Sequence, residues 1–391
     1  MTLAETVVPS KIVTFEDVRI ANKGTYPGFF FLRHFLATVI IFHHARILLR
    51  GVREGYADIA VGGNALSGHG LGAFLFSAEA FRPFLYALVG SFFALSGFLV
   101  AGSALRTRNV RSFLMFRILR IVPALVAEVT LAALILGSLV TVLPYGTYFA
   151  SPELYRYFFN IVGFIHYTLP GVFLTNPIAE TVNGNLWTLT PEFYCYLILA
   201  GAMVTGLAYN RRLFLILLVA VTLIIAGVQA SGVVEILTRQ DTTRFTRWLI
   251  VYMFFLGVAF YLFRDSIPRS LLLFVISGVG YVLLLWTGKS DLLACILLAY
   301  CTVYVGSLDF GWFERTIKSD YSYGLYLYGY PITQALIYFL LPSGILKQNA
   351  VSTAVLMIAT FALALGFSAL SWRFLESPAL RLRKYFIRKE A

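Results

Sequence analysis

The stretch Phe29–Leu49, FFFLRHFLATVIIFHHARILL, decides the fold, because it is largely apolar over the length that a membrane-spanning helix needs. Such a helix requires about 20 apolar residues. The 391-residue chain is 59% hydrophobic and only 13% charged, whereas soluble domains carry about 25% charged residues. This composition excludes a soluble enzyme, a disordered chain and a disulfide scaffold. The sequence predicts an all-α polytopic membrane protein, a helical bundle of about ten transmembrane helices.

Apolar stretches separated by short polar connections continue along the rest of the chain. We predict ten spans, at Phe29–Leu49, Phe84–Ala104, Pro123–Leu143, Leu186–Leu207, Leu213–Ala230, Trp248–Phe263, Leu271–Thr287, Leu292–Leu308, Tyr321–Leu341 and Val351–Trp372. Polar residues, a glycine and a proline interrupt Tyr157–Leu174, which indicates a re-entrant or interfacial segment. We divide the chain into a cytoplasmic N-terminal segment (1–27), a membrane domain (28–378) and a basic cytoplasmic tail (379–391).

The distribution of basic residues predicts the topology. The chain has 31 Lys and Arg residues and a net charge of +12. With the N-terminus in the cytoplasm, about twice as many of them fall on the cytoplasmic side as outside, and every short inner loop is basic, as the positive-inside rule requires. Both termini are therefore predicted to be cytoplasmic. In a membrane chain this excess indicates contact with anionic lipids of the bilayer, and we predict no nucleic-acid partner.

The first span carries Arg33 and His44 at membrane depth. A charged residue near the centre of a membrane helix costs about 2.5–3.5 kcal/mol, so these side chains need an explanation. They are eleven residues apart, which places them within about 20° of one another around the helix and about 16 Å apart along it. Arg33 falls in the inner half of the span and His44 in the outer half. The simpler alternatives are an arginine that reaches the inner headgroups and a histidine that is satisfied by its surroundings.

A basic pair follows the second span, in RTRNVRSFLMFRILRIVP. Arg117 and Arg120 have the (i, i+3) spacing that places two side chains on one helix face. Guanidinium groups bind phosphate through paired, charge-assisted hydrogen bonds, so this face is a candidate anion site. The alternative is that the two charges only set the topology.

Two carboxylates fall inside predicted spans. Glu192, in GNLWTLTPEFYCYL, is predicted to lie at the depth of His44, and such a pair suits a general base that is oriented by an acid. The alternative is that Glu192 only caps a nearby N–H group. For Glu128 we predict an ion pair with an inner arginine. The three cysteines lie in apolar runs without metal-ligand spacing, so no metal site is predicted.

Taken together, these segments resemble the acyltransferase-3 family, integral membrane O-acyltransferases that modify cell-surface polysaccharides. The matching motifs are Arg33 with His44; Leu95, Ser96, Gly97, Phe98 and Leu99; Arg117, Arg120 and Pro123; Leu186, Trp187, Leu189, Glu192, Tyr196 and Leu197; Ser322, Tyr323, Gly324, Tyr326, Leu327 and Pro331; and, loosely, Phe374, Glu376 and Pro378. The chain departs from the family at Gly329, where many members have a histidine.

The resemblance implies an acyl-CoA donor, most often acetyl-CoA, in the cytoplasm of a bacterium whose inner membrane holds the protein. The acceptor would be a hydroxyl group of a glycan or lipid-linked saccharide on the outer side. Arg117 and Arg120 would bind the donor phosphates, and Arg33 would contact the donor or the oxyanion. His44 would be the general base or carry the acyl group, oriented by Glu192. A transporter or flippase is the alternative, although the sequence shows no internal repeat.

Overall fold

The fold consists of α-helices. The structure, a computed structural model, describes residues 12–51, 78–231, 246–287 and 290–386. Within these ranges there is no β-strand, only isolated β-bridges between loop residues. The prediction of an all-α membrane bundle is confirmed.

The helices, numbered in chain order, are α1 Phe15–Ala21, α2 Gly28–Arg50, α3 Ala78–Thr107, α4 Val110–Thr130, α5 Tyr145–Ala150, α6 Pro152–Tyr157, α7 Leu189–Val204, α8 Arg211–Ala230, α9 Arg247–Leu262, α10 Leu271–Thr287, α11 Asp291–Gly306, α12 Gly311–Thr316, α13 Ser322–Leu340, α14 Ala350–Ser371 and α15 Ser377–Arg381. A π-helical turn, Leu131–Leu136, continues α4 to Val140, and a second one, Trp372–Glu376, joins α14 to α15. Short 3₁₀ turns are Phe158–Val162, Gly184–Thr188, Leu207–Tyr209 and Leu382–Tyr385.

A helix occupies each of the ten predicted spans, and α2, α3, α4, α8 and α14 are long and apolar enough to cross a bilayer. Helix α4 contains the start of the third predicted span at Pro123 and already begins at Val110. Asn109 caps this start by accepting a hydrogen bond from the Ser112 N–H at 3.1 Å. The helix continues through Pro123, as membrane helices often do, so the basic segment after α3 is helical.

Residues 176–188 run into the bundle along α13. Pro331 lies inside α13 and has no N–H, which leaves the carbonyl of Leu327 without its helical donor. The Asn183 side chain donates to this carbonyl at 3.0 Å. Nearer the other end of α13, the Gln334 amide donates to two carbonyl groups of the segment at 2.9 and 2.7 Å. Helix α7 therefore begins inside the bundle, and not at its outer surface.

Two glycines allow α3 and α9 to pack backbone against backbone. A Cβ atom on Gly97 would lie 1.9 Å from the carbonyl oxygen of Phe254, and one on Gly257 would lie 2.0 Å from that of Ala94. No side chain fits at either position. The close crossing fixes the height and rotation of α3, whose neighbouring Ser96 faces the cavity described below.

The short helix α1 docks on the connection between α9 and α10. Phe15 is fully buried, and the backbone N–H of Glu16 donates to the carbonyl of Arg264 at 3.0 Å. The Glu16 carboxylate accepts hydrogen bonds from Arg19 and, at 2.6 Å, from Arg264. These guanidinium groups, Arg19 first, hold the pKa of Glu16 below its ordinary value of 4.5. An ion-pair cluster thus anchors the N-terminal helix.

Candidate functional site

A cavity lies inside the bundle among α2, α3, α4, α7, α9 and α13. It has about 1000 Å³ of space free of protein atoms, part of which is continuous with the exterior. Its polar lining residues are Arg33, Ser96, Arg117, Arg120, Thr188, Glu192, Tyr196, Ser322, Tyr323 and Tyr326. Phenylalanine, leucine and valine side chains form most of the remaining wall. The cavity combines cationic groups with an apolar surface.

Arg120 and Arg33 share one carboxylate. Arg120 Nη2 lies 2.7 Å and Arg33 Nη1 lies 3.0 Å from the same oxygen, Asp320 Oδ2. Arg120 Nη1 also lies 3.5 Å from Oε2 of the buried Glu376, which ends the second π-helical turn. Two carboxylates hold Arg120, so its main role is to join α4 to the segments around α13 and α14.

Arg117 has a different environment. Its Nη2 donates to Ser103 Oγ at 3.2 Å, and its guanidinium group lies 5.9 Å from the centre of the Tyr196 ring. No carboxylate of the described residues lies within ion-pair distance of it. The Tyr196 hydroxyl donates to Glu192 Oε1 at 2.5 Å. Arg117 is therefore the cavity arginine best placed to bind an added anion.

His44 lies outside the set of cavity-lining residues. Its buried ring packs edge-on against Tyr330, with ring centres 5.2 Å apart. Tyr330 in turn lies against Gly184, where a Cβ atom would come within 2.6 Å of the ring. Tyr326, which lines the cavity, precedes Tyr330 by four residues on α13. Tyr330, the residue against which His44 packs, therefore lies about 6 Å, or one helical turn, along α13 from Tyr326 at the cavity wall.

Comparison with known proteins identifies the family. Residues 28–373 match a protein family whose description is "Acyltransferase domain". The chain belongs to the acyltransferase-3 family. An O-acetyl transferase of Shigella phage Sf6 is 27% identical over 299 residues, which cover 74% of this chain and 83% of that protein. Nodulation protein 10 of Rhizobium leguminosarum bv. viciae is 27% identical over 395 residues, covering 93% and 95%. No solved structure matches.

Membership of the acyltransferase-3 family makes the chain a membrane acyltransferase and sets aside the transporter alternative. The geometry also gives physical reasons for motif residues. Gly97 allows the close crossing of α3 and α9, and Arg117 and Arg120 line one cavity, as their predicted shared helix face requires. At the departure from the family pattern, Gly329 packs against Ile41 of α2, and a Cβ atom there would lie 2.6 Å from that side chain.

Two predicted pairings within this acyltransferase are not formed. Glu192 bonds to Tyr196 and lies in the arginine-lined cavity, so it does not pair with His44. The prediction that Glu192 lies at the depth of His44 was wrong because α7 starts inside the bundle. Glu128 accepts a hydrogen bond from Asn183 at 2.8 Å, and not from an inner arginine. The inward segment 176–188 supplies this amide.

Two cavity-associated residues were missed from the sequence. Asp320 lies two residues before Ser322 of the Ser-Tyr-Gly motif, and its neighbour Tyr321 donates a backbone N–H to His34 Nε2 at 3.1 Å. An acidic residue just before a predicted span was the available signal. For His34, which is buried on α2, the sequence offered none beyond its position next to Arg33. Among the described residues, no group of His, Cys, Asp or Glu could hold a metal ion.

Proposed function

We propose that this acyltransferase moves an acyl group, namely acetyl, from cytoplasmic acyl-CoA to a hydroxyl group of a cell-surface glycan or lipid-linked saccharide. The observation that carries the proposal is the internal cavity, which combines an apolar wall with an arginine that has no carboxylate partner among the described residues. An acyl-CoA thioester is complementary to both features, since its phosphates are anionic and its acyl group is apolar. The name of the phage relative, O-acetyl transferase, supports the acetyl group.

Within this proposal the three arginines of the cavity have different roles. Arg117 binds a donor phosphate, because its guanidinium group retains donors that no described carboxylate occupies. Arg33 lines the same cavity and contacts the donor or the developing oxyanion. Arg120 contributes positive charge to the donor site, while Asp320 and Glu376 hold it in place. Glu192 lies beside this site and orients Tyr196 at the wall.

His44 is the proposed general base. Its imidazole would take the proton of the acceptor hydroxyl as that oxygen attacks the thioester carbonyl, and the C–S bond then breaks to release the CoA thiolate, which takes up a proton. General base catalysis of this kind contributes typically about 10²–10⁴-fold. Transfer through an acyl-histidine is the second route. The imidazole nitrogen then attacks the thioester carbonyl and expels the CoA thiolate, and the acceptor hydroxyl afterwards attacks the acyl group, releasing the imidazole, which takes up the hydroxyl proton. Both routes require the acyl group to reach His44, on the side of the cavity where α13 carries Tyr326 and Tyr330.

The test compares two arginines of α4. The purified protein in lipid nanodiscs is titrated with CoA, and its turnover of radiolabelled acetyl-CoA is measured. Arg117→Ala should weaken CoA binding by about tenfold or more, because hydrogen bonds to charged groups are worth about 1.5–3 kcal/mol. The control Arg111→Ala removes the same charge from an exposed position of that helix that does not line the cavity. Wild-type protein that neither binds CoA nor consumes acetyl-CoA would refute the proposed donor.

A further inference from the structure

Two consecutive residues of α2 hold two consecutive residues of the turn before α13. Arg33 Nη1 lies 3.0 Å from Asp320 Oδ2, and His34 Nε2 accepts the backbone N–H of Tyr321 at 3.1 Å. His34 Nδ1 lies 2.8 Å from the carbonyl oxygen of Phe30. Because a carbonyl only accepts, Nδ1 carries the hydrogen and Nε2 is the acceptor, so one neutral tautomer satisfies both bonds.

Asp320 is the centre of this arrangement. Its Oδ2 receives Arg33 at 3.0 Å and Arg120 at 2.7 Å, while its Oδ1 accepts the Ser322 hydroxyl at 2.5 Å. Two guanidinium groups that converge on one point repel each other, and a shared negative charge offsets that repulsion. The carboxylate therefore fixes where both cations stand at the cavity wall.

The same contacts have a second consequence for any anion that enters the cavity. Donor groups of Arg33 and Arg120 that bond to Asp320 are occupied, and the carboxylate itself repels a phosphate. Asp320 thus holds the cations in position and also competes with an anionic ligand for them. These two effects act on different measurable quantities, since positioning affects turnover and competition affects affinity.

We infer that Asp320 is a positioning residue of the donor site, held in register by the His34–Tyr321 bond, and that it lowers donor affinity in exchange for a correctly placed Arg33. The inference rests on the proposed function, because it takes the cavity as the acyl-CoA site. It assigns His34 a role through Asp320, with no contact to the donor.

Asp320→Asn separates the two effects. The variant keeps the size of the side chain and removes its charge, so CoA should bind more tightly, by about threefold or more, because an anionic competitor is gone. The turnover number for acetyl-CoA should fall by about tenfold or more, because Arg33 and Arg120 lose the group that aims them. Asp320→Glu restores the charge, and should return the CoA affinity toward the wild-type value with part of the turnover.

Asp309→Asn is the matched control, since Asp309 is an exposed acid of the connection before α12 that does not line the cavity. A second pair of variants leaves the charges untouched. His34→Phe removes the acceptor for the Tyr321 N–H, and His34→Gln provides an oxygen in its place. We expect His34→Phe to lower turnover by about tenfold with unchanged CoA affinity, and His34→Gln to recover much of it. This pair tests the inference even where Asp320→Asn does not fold.

The outcomes distinguish the inference from the function on which it rests. Wild-type protein without CoA binding or acetyl-CoA turnover would refute the donor assignment itself. With an active wild-type protein, unchanged or weaker CoA binding in folded Asp320→Asn would overturn the inference. So would a His34→Phe variant whose melting temperature falls while its turnover per folded molecule stays at the wild-type value, because that result describes a purely structural residue.

Discussion

Gly97→Ala should force α3 and α9 apart. The added Cβ atom would lie 1.9 Å from the carbonyl oxygen of Phe254, whereas ordinary contacts begin at 3.4 Å, so the crossing must open by 1.5 Å, the difference of the two distances. Overpacking of a tight interior costs about 1–3 kcal/mol. We expect about 2–3 kcal/mol here, because the obstructing atoms belong to a helix backbone and cannot rotate away. Ser96 would be displaced from the cavity wall together with its helix.

The assay is the thermal unfolding of purified protein, read together with CoA titration. Gly278→Ala is the matched control, because Gly278 lies within α10 and a Cβ atom there meets nothing within 4 Å. Alanine is also the better helix former, by about 1 kcal/mol in soluble helices. We expect Gly97→Ala to lower the melting temperature by several degrees and to weaken CoA binding, and the control to do neither. Equal melting temperatures in the two variants would refute the argument from the helix crossing.

Three further predictions concern the bundle, its N-terminal helix and the proposed base. Asn183→Leu should destabilise the protein by about 2–4 kcal/mol in thermal or denaturant unfolding, because it leaves buried acceptors on Glu128 and the backbone unsatisfied. Docking of α1 should weaken as the pH falls below about 4.5. The pKa of Glu16 is lowered in the folded protein, so its carboxylate stabilises the docked helix above that pH, and protonation of the carboxylate removes this stabilisation. Hydrogen exchange of residues 15–21 measures this, and Glu16→Gln should abolish the pH dependence. His44→Ala should eliminate acyl transfer while His43→Ala retains much of it; equal losses in folded protein would exclude the assignment.

Hydropathy was sufficient to predict the architecture. In a bilayer every backbone polar group must be hydrogen-bonded within the protein, and a helix achieves this within a single segment, so an apolar stretch of about 20 residues is predicted to be helical. Each of the ten stretches contains one. The shared face of Arg117 and Arg120 was also predictable, because it depends only on the helical repeat and both residues lie on α4.

The parts of the site that depend on contacts between elements could not be predicted. Hydropathy predicted that the span containing Glu192 would start near the outer surface, whereas the inward course of residues 176–188 places it deep in the bundle. That course depends on side-chain amides that bond to α13. Asp320 lies two hundred residues from Arg120, and no periodic pattern relates them. The role of His44 and the boundaries of the terminal segments remain predictions.

Pro331 of α13 and Asn183, which bonds to this helix, depend on each other. Pro331 creates the open carbonyl at Leu327 that Asn183 closes. A residue with an N–H at position 331 would close that carbonyl from within the helix, and the amide at 183 would then lose one of its two acceptors. Substitutions at the two positions should therefore show strong epistasis. Among distant relatives, we expect the proline and the asparagine to be retained or lost together.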